Sequence, residues 1–224
     1  MNASTRTAFV SGSGRKIGRA VVLDLAKRGC NVIVNGSKNR KACETVAADA
    51  VELGVEALVA MGDVGDPKAI DRMSTEALER FGTVDILVNN AAIRPAGPFL
   101  EMTDEEWQRV IDVDLNAAFR LSRAFLPGMV EQSWGRIVNF TGMSSIRGRI
   151  GGASVSAAKH GVWGLTKSLA LEFGPSGITA NVISPGLIAP DGETGEGQHS
   201  AETIAAIPLG FVGQPFHIGT LCGF

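Results

Sequence analysis

The stretch RTAFVSGSGRKIGRAVVLDLAKRG, residues 6–29, constrains the fold more than any other. Its apolar run over 6–12 reads as a buried strand. The run breaks at Gly12 and Gly14, and apolar residues then recur at 17, 21, 22 and 25, the spacing of one helix face over 17–29. A strand that turns through glycines straight into a helix is the start of a βαβ unit.

The same alternation continues along the chain. Apolar runs at 31–36, 56–63, 84–92, 135–142 and 178–186 read as strands, and 39–53, 67–82, 103–132 and 153–173 as helices. Gly82 closes the third helix, and Thr103 with Glu106 forms a capping box at the start of the long fourth. Strands apolar on both faces and joined by helices require parallel pairing with right-handed crossovers. The expected fold is α/β, a doubly wound Rossmann-type parallel sheet in three layers. It is expected to be one domain spanning 1–224, with the glycine-rich, polar 187–206 as a substrate-side loop. Trp107, Trp134 and Trp163 read as core residues.

Composition matters mainly for what it excludes. The formal charge of −2, with both signs interspersed, gives no footprint for nucleic acid or an anionic membrane. Cys30, Cys43 and Cys222 form no CxxC pair, and His160, His199 and His217 share no ligand spacing, so no metal is expected. Free thiols and the lack of a signal-like N-terminus or long apolar span lead to the expectation of a cytoplasmic protein.

The turn VSGSGRKIGRA is the first candidate site. Gly12 and Gly14 permit close approach of the backbone to a diphosphate, and Gly18 permits close packing of helix on sheet. The helix start beyond them offers amide donors and the positive end of a dipole. The loop residues Gly12, Ser13, Gly14, Arg15, Lys16, Ile17 and Gly18 are therefore expected to hold a dinucleotide. The second strand ends NVIVNGSKNRK, with Asn35 and no carboxylate for ribose hydroxyls. Arg15, Lys16, Ser37, Lys38 and Arg40 could meet a 2′-phosphate, so NADP is expected in preference to NAD.

Taken together, these motifs resemble the short-chain dehydrogenase/reductase family. SGSGRKIG is similar to its TGxxxGxG loop, with Ser11 for the threonine and Lys16 for the middle glycine. GDV resembles the adenine-contacting Asp-Val, here Asp63 and Val64. NNAA resembles NNAG, which implies that Asn89 supports the sheet and Ala91 backs the cofactor. SPG resembles the PG motif beside the nicotinamide, implying Pro185, Gly186 and Ile188 as cofactor contacts. Pro190 stands where the family has a carboxamide-holding threonine. Family members continue further, with a last strand, so the resemblance implies a truncated sheet edge. It also implies a small-molecule substrate and a homodimer or homotetramer joined through the helices at 103–132 and 153–173.

The family's reaction centre is a tyrosine, a lysine four residues later, a serine thirteen earlier, and an asparagine in the long preceding helix. Lys159 in AAKHG matches the lysine. Val155 stands at the tyrosine place, Gly142 at the serine place and Asp114 at the asparagine place. Asn116 lies about 200° round an ideal helix from Asp114 and should not replace it. Valine has no proton to give, and a positioned general acid is worth about 10²–10⁴ in rate. The candidate catalytic set is therefore Lys159, which retains its ribose role, with Asp114, if burial raises its pKa, and Ser144. Two readings follow: a NAD(P)-dependent oxidoreductase acting on a small carbonyl, alcohol or enone, or an impaired NADP(H)-binding homologue serving as sensor or partner subunit.

Overall fold

A computed structural model describes residues 5–189 and 200–223, apart from the side chains of Ser144 and Ser145. Six parallel strands form one sheet in the order β3-β2-β1-β4-β5-β6. They are β1 (Thr7–Val10), β2 (Asn31–Gly36), β3 (Ala57–Met61), β4 (Ile86–Asn89), β5 (Gly135–Phe140) and β6 (Ile178–Ile183). The order reverses between β1 and β4, where their carboxyl ends diverge around the loop that follows β1. In doubly wound sheets this switch point is where ligands bind.

Helices cover both faces. On one side α1 (Lys16–Lys27), α2 (Arg40–Glu52) and α9 (Pro215–Gly223) bury Val21, Val22, Leu25, Val46 and Ile218 against β-strand residues such as Val10 and Val34. On the other side α3 (Pro67–Phe81), α5 (Ala117–Glu131) and α7 (Ala153–Phe173) enclose Phe9, Ile33, Leu87, Leu121, Phe125 and Ile137. Phe9 and Phe125 meet with ring centroids 5.4 Å apart, tying the first strand to α5. The apolar runs read from the sequence thus serve two cores, one per face, which is why the central strands β1 and β4 are buried throughout, whereas edge strand β6 leaves Thr179 and Asn181 exposed.

The strands are shorter than their apolar runs, because the run ends leave the sheet to build loops at the carboxyl edge. The helix expected over 103–132 is interrupted. α4 (Asp104–Ile111) passes through a π turn at Asp112–Asn116 before α5 begins. The capping box forms as expected, Glu106 N donating to Thr103 Oγ1 at 3.2 Å and Thr103 N to Glu106 Oε2 at 3.0 Å. A short helix, α6 (Ser144–Arg147), had no periodic signal in the sequence, and α8 (Ala201–Ala205) precedes α9.

Two of the three tryptophans correct the expectation of core positions, whereas Trp134 packs against the core. Trp107 and Trp163 are 36% and 37% exposed, and Trp134 is overlaid by the guanidiniums of Arg6 and Arg136, 4.0 and 4.4 Å from its ring centre. Of the substrate-side loop, Leu187–Ala189 is pinned to Gly213. Ala189 N donates to Gly213 O at 2.8 Å, and Gly213 N to Leu187 O at 3.0 Å. Pro190 and His199 lie outside the described residues.

Candidate functional site

The glycine loop leaves no room for a Cβ at Gly12 or Gly18. Gly12 has φ +62, and a Cβ there would lie 2.8 Å from Ala91 Cα. A Cβ at Gly18 would meet Gly12 O at 2.5 Å and Ser13 Cα at 2.6 Å. Lys16 also has positive φ, 51°, although it is not glycine. Left-handed backbone costs a residue with a Cβ about 1–2 kcal/mol, which explains why the family pattern has glycine at this place.

Two serines of the motif and two asparagines outside it hold the loop in shape. Ser11 Oγ accepts from the amides of Asn90 and Ala91, both at 3.0 Å. Asn90 Nδ2 donates to Ser11 O at 2.9 Å and Gly12 O at 3.0 Å. Asn35 is buried, and its Oδ1 accepts from Gly12 N at 3.0 Å while its Nδ2 donates to Ala60 O and Gly62 O. Ser13 turns inward, spending its hydroxyl on Val10 O at 2.7 Å and its amide on Asn35 O at 2.8 Å. Sequence reasoning missed the roles of Asn35 and Asn90. An asparagine ending a strand in an apolar run was the only available signal.

Beyond Asn35 the strand ends at Gly36, where a Cβ would lie 2.5 Å from Cys43 Sγ. The packing of α2 on β2 therefore keeps this position bare, and no carboxylate stands there. Arg15, Ser37 and Lys38 are exposed around it. Asp63 and Val64 follow β3. Val64 is buried, and Asp63 receives Arg109 Nη2 at 2.6 Å and Gly65 N at 2.8 Å. Partial burial works against the Asp63 carboxylate, but the Arg109 and Gly65 hydrogen bonds outweigh it and hold its pKa below the usual range.

At the other end of the site, β4 and β5 are tied by a polar chain. Asn89 Nδ2 donates to Asn139 Oδ1 at 2.7 Å, and Asn139 Nδ2 to Thr166 Oγ1 at 2.8 Å. Lys159 reaches across from α7. Its ammonium donates to Phe140 O at 3.1 Å and lies 3.2 Å from Asp114 Oδ2, off the line of an ideal hydrogen bond. Both side chains are buried. The π turn delivers Asp114 to this place, and its Oδ1 accepts from Ile93 N at 2.8 Å. Asn116 instead turns back to Asp112 Oδ1 at 2.8 Å, so it does not replace Asp114. Burial pushes the Asp114 carboxyl up, against the opposing ammonium of Lys159, the Ile93 amide and the charge of Arg94. Burial pushes the Lys159 ammonium down, with Asp114 opposing and Arg94 adding to the shift. A space of about 10 Å³, lined by Ser11, Asn89, Asp114, Phe140 and Lys159 among others, adjoins the pair. That is room for about one water.

Val155 points into packing. It is 1% exposed and lies with Val110 and Ala158 against Ile93, Ile111 and Leu115. Gly142 faces open space, with no atom within 4 Å of a Cβ built on it. Thr141 is buried with no partner for its hydroxyl among the described residues. Ser144 begins α6, but its side chain lies outside those described. Pro185 and Gly186 follow β6, and Ile188 forms the bridge to Gly213. Among the described residues no helix is long and apolar enough to cross a membrane.

This sheet, glycine turn and lysine-bearing α7 define a class, and residues 6–200 match the short chain dehydrogenase family. The chain belongs to that family and is a NAD(P)-dependent oxidoreductase of its type. It is 36% identical over 219 residues to a 3-oxoacyl-[acyl-carrier-protein] reductase of Synechocystis, covering 97% of this chain and 88% of the relative. A reductase of the same description from Staphylococcus aureus is 34% identical, over 98% of this chain and 90% of its own. Among solved structures, acetoin dehydrogenase YohF of Salmonella typhimurium superposes with TM-score 0.89 at 29% identity, covering 97% of this chain and 87% of that one. An NAD+-bound xylitol dehydrogenase superposes with TM-score 0.88 at 27% identity, covering 98% and 91%.

Proposed function

We propose that this chain transfers hydride between NADP(H) and a small carbonyl/alcohol or enone substrate, with Lys159 and Asp114 carrying the charge and proton work of the missing tyrosine. The observation that carries the reading is the buried Lys159–Asp114 pair at the carboxyl edge of the sheet, beside a loop that admits no Cβ at Gly12 or Gly18.

The residues present fit a dinucleotide. Gly12 to Gly18 would hold its diphosphate, and Asp63 with Val64 its adenine. Asn89, Ala91, Pro185, Gly186 and Ile188 would border the nicotinamide, with Lys159 on its ribose. The bare end of β2 at Gly36, flanked by Arg15 and Ser37, favours a 2′-phosphate over free ribose hydroxyls. When bound, NADPH supplies the hydride.

The chain's own task is the charge left on substrate oxygen. Val155 offers it no donor. Lys159, one turn further along α7, holds an ammonium fixed by Phe140 O and balanced by Asp114. Burial shifts the two groups in opposite directions, Asp114 up and Lys159 down, and a proton given up by Lys159 to the substrate oxygen is replaced from water. With an enone, oxygen needs only a stabilising positive charge, which this pair supplies more readily than a phenol's proton. Residues 1–224 act as one Rossmann-type unit, in the cytoplasm. The partly exposed Phe119, Val130, Trp163 and Leu171 on α5 and α7 support a homodimer or homotetramer.

The test is NADPH oxidation over matched ketones and enones by the parent and by Lys159→Met, with fluorescence titration of NADPH and NADH. Expected are turnover by the parent, loss of at least tenfold in Lys159→Met, and tighter binding of NADPH. Binding of NADPH with no turnover of any substrate would establish the impaired-homologue reading instead.

A further inference from the structure

Ten of the chain's fourteen arginines have a partner. Arg6, Arg19, Arg28, Arg40, Arg80, Arg109 and Arg120 pair with carboxylates. Arg72 and Arg136 donate to backbone carbonyls, and Arg123 covers Phe119. Among the described residues, Arg15, Arg94, Arg147 and Arg149 have neither a carboxylate, a carbonyl nor a ring. Arg15 stands in the glycine loop, where the cofactor reading already places a phosphate. The other three come from two segments that the fold joins by a backbone hydrogen bond, one of them also bonded to Asp114.

The joining is explicit. Ile93 is fixed to Asp114 through its amide, and four residues on, Gly97 N donates to Gly151 O at 3.0 Å. Arg94 is held between these two anchors, directly after the residue bonded to the reaction-centre carboxylate. Its charge acts on both Asp114 and Lys159. Arg147 and Arg149 immediately precede Gly151, with Gly148 turning the chain at φ +72 between them. The side chain of Arg149 folds along Gly152, where an added Cβ would meet its Cδ at 3.1 Å. The segment carrying Arg94 and the segment carrying Arg147 and Arg149 are thus tied together through Gly97 and Gly151, in a chain whose overall charge is −2. Like charges brought near one another without a salt-bridged carboxylate repel, and that cost is offset when an anion binds among them. A guanidinium also offers the planar fork that suits carboxylate and phosphate.

Resting on the proposed hydride transfer, we infer that the substrate carries an anionic group, a carboxylate or phosphate, which Arg94, Arg147 and Arg149 receive while its carbonyl or enone faces Lys159. The rim then sets both specificity and orientation, because an anion fixed at the mouth leaves the unsaturated end inside.

The experiment compares acetoacetate with methyl acetoacetate, and 4-oxopentenoate with its methyl ester, as substrates with NADPH. The parent is set beside Arg94→Gln and the triple variant Arg94→Gln/Arg147→Gln/Arg149→Gln. A second arm measures malonate and inorganic phosphate binding to the NADP+-loaded protein by calorimetry, which needs no turnover. It also shows which anion the rim takes. The parent should prefer the acid of each pair by at least tenfold in kcat/KM. The triple variant should lose that preference and the anion binding while keeping its NADPH affinity. Anion binding that the triple variant loses, without turnover of any substrate, would support the rim and overturn the hydride-transfer reading. Turnover with esters matching acids, or a preference unchanged in the triple variant, would overturn the rim and leave that reading standing. Activity confined to carrier-protein thioesters would also overturn it.

Discussion

Lys159 Nζ lies 3.2 Å from Asp114 Oδ2 with both side chains buried, joining the second turn of α7 to the π turn between α4 and α5. A neutral residue at position 114 would leave the ammonium in low dielectric with only Phe140 O to receive it. The carboxylate is therefore as much a structural counter-charge as a candidate reaction group.

Breaking this pair from one side should cost more than removing it. Asp114→Leu and Lys159→Met should each destabilise the fold by about 3–5 kcal/mol, and the double variant should fall well short of their sum. Urea unfolding of the parent, both singles and the double measures the coupling. Additive losses would show that the two charges do not support each other.

The strained backbone at Lys16 predicts a gain from glycine. Lys16→Gly should relieve part of the left-handed penalty and raise stability by about 0.5–1 kcal/mol after the added unfolded-state entropy. Gly12→Ala should do the reverse and weaken NADPH binding at least tenfold, because its Cβ would press on Ala91. Thermal melts and a fluorescence titration check both.

Cofactor choice should be reversible at the end of β2. Gly36→Asp alone crowds Cys43 Sγ, so the test pairs it with Cys43→Ala. The double variant places a carboxylate where a ribose would lie and should bind NADH more tightly than NADPH. An unchanged preference would locate the discrimination elsewhere.

Restoring the family's phenol and hydroxyl should expose what Val155 replaced. Gly142→Ser has open space, whereas Val155→Tyr must enter the Val110–Ala158 cluster and should cost about 1–3 kcal/mol. If the phenol clears Ile93, ketone reduction should rise by about 10²–10⁴. Steady-state rates on the ketone series measure this, beside a melt that verifies folding.

The Asp63–Arg109 pair gives a pH dependence of known sign. The folded pKa of Asp63 lies below its ordinary value of 3.8, so the unfolded chain takes up its proton first as pH falls. Its contribution is complete above that value and is lost as pH drops through the lower folded value. The difference in melting temperature between the parent and Asp63→Asn should be constant from about pH 5 to 8 and shrink on further acidification.

Periodicity and turn chemistry determined the sheet, the glycine loop and the extent of α7, because each is written in neighbouring residues. The strand–glycine–helix unit at 6–29 needed nothing distant to be recognised, and Lys159 was legible only through the family resemblance of AAKHG. Tertiary structure alone decided what surrounds them. Asp114 reaches Lys159, 45 positions away, only because a π turn shifts the register of a helix that reads as continuous. Asn35 turns inward rather than toward a ribose, Val155 is absorbed into packing, and the segment of Arg94 is tied to that of Arg147 and Arg149 through Gly97 and Gly151. Each follows from parallel crossovers that carry remote segments to one edge of the sheet, where distances in space bear no relation to distances along the chain.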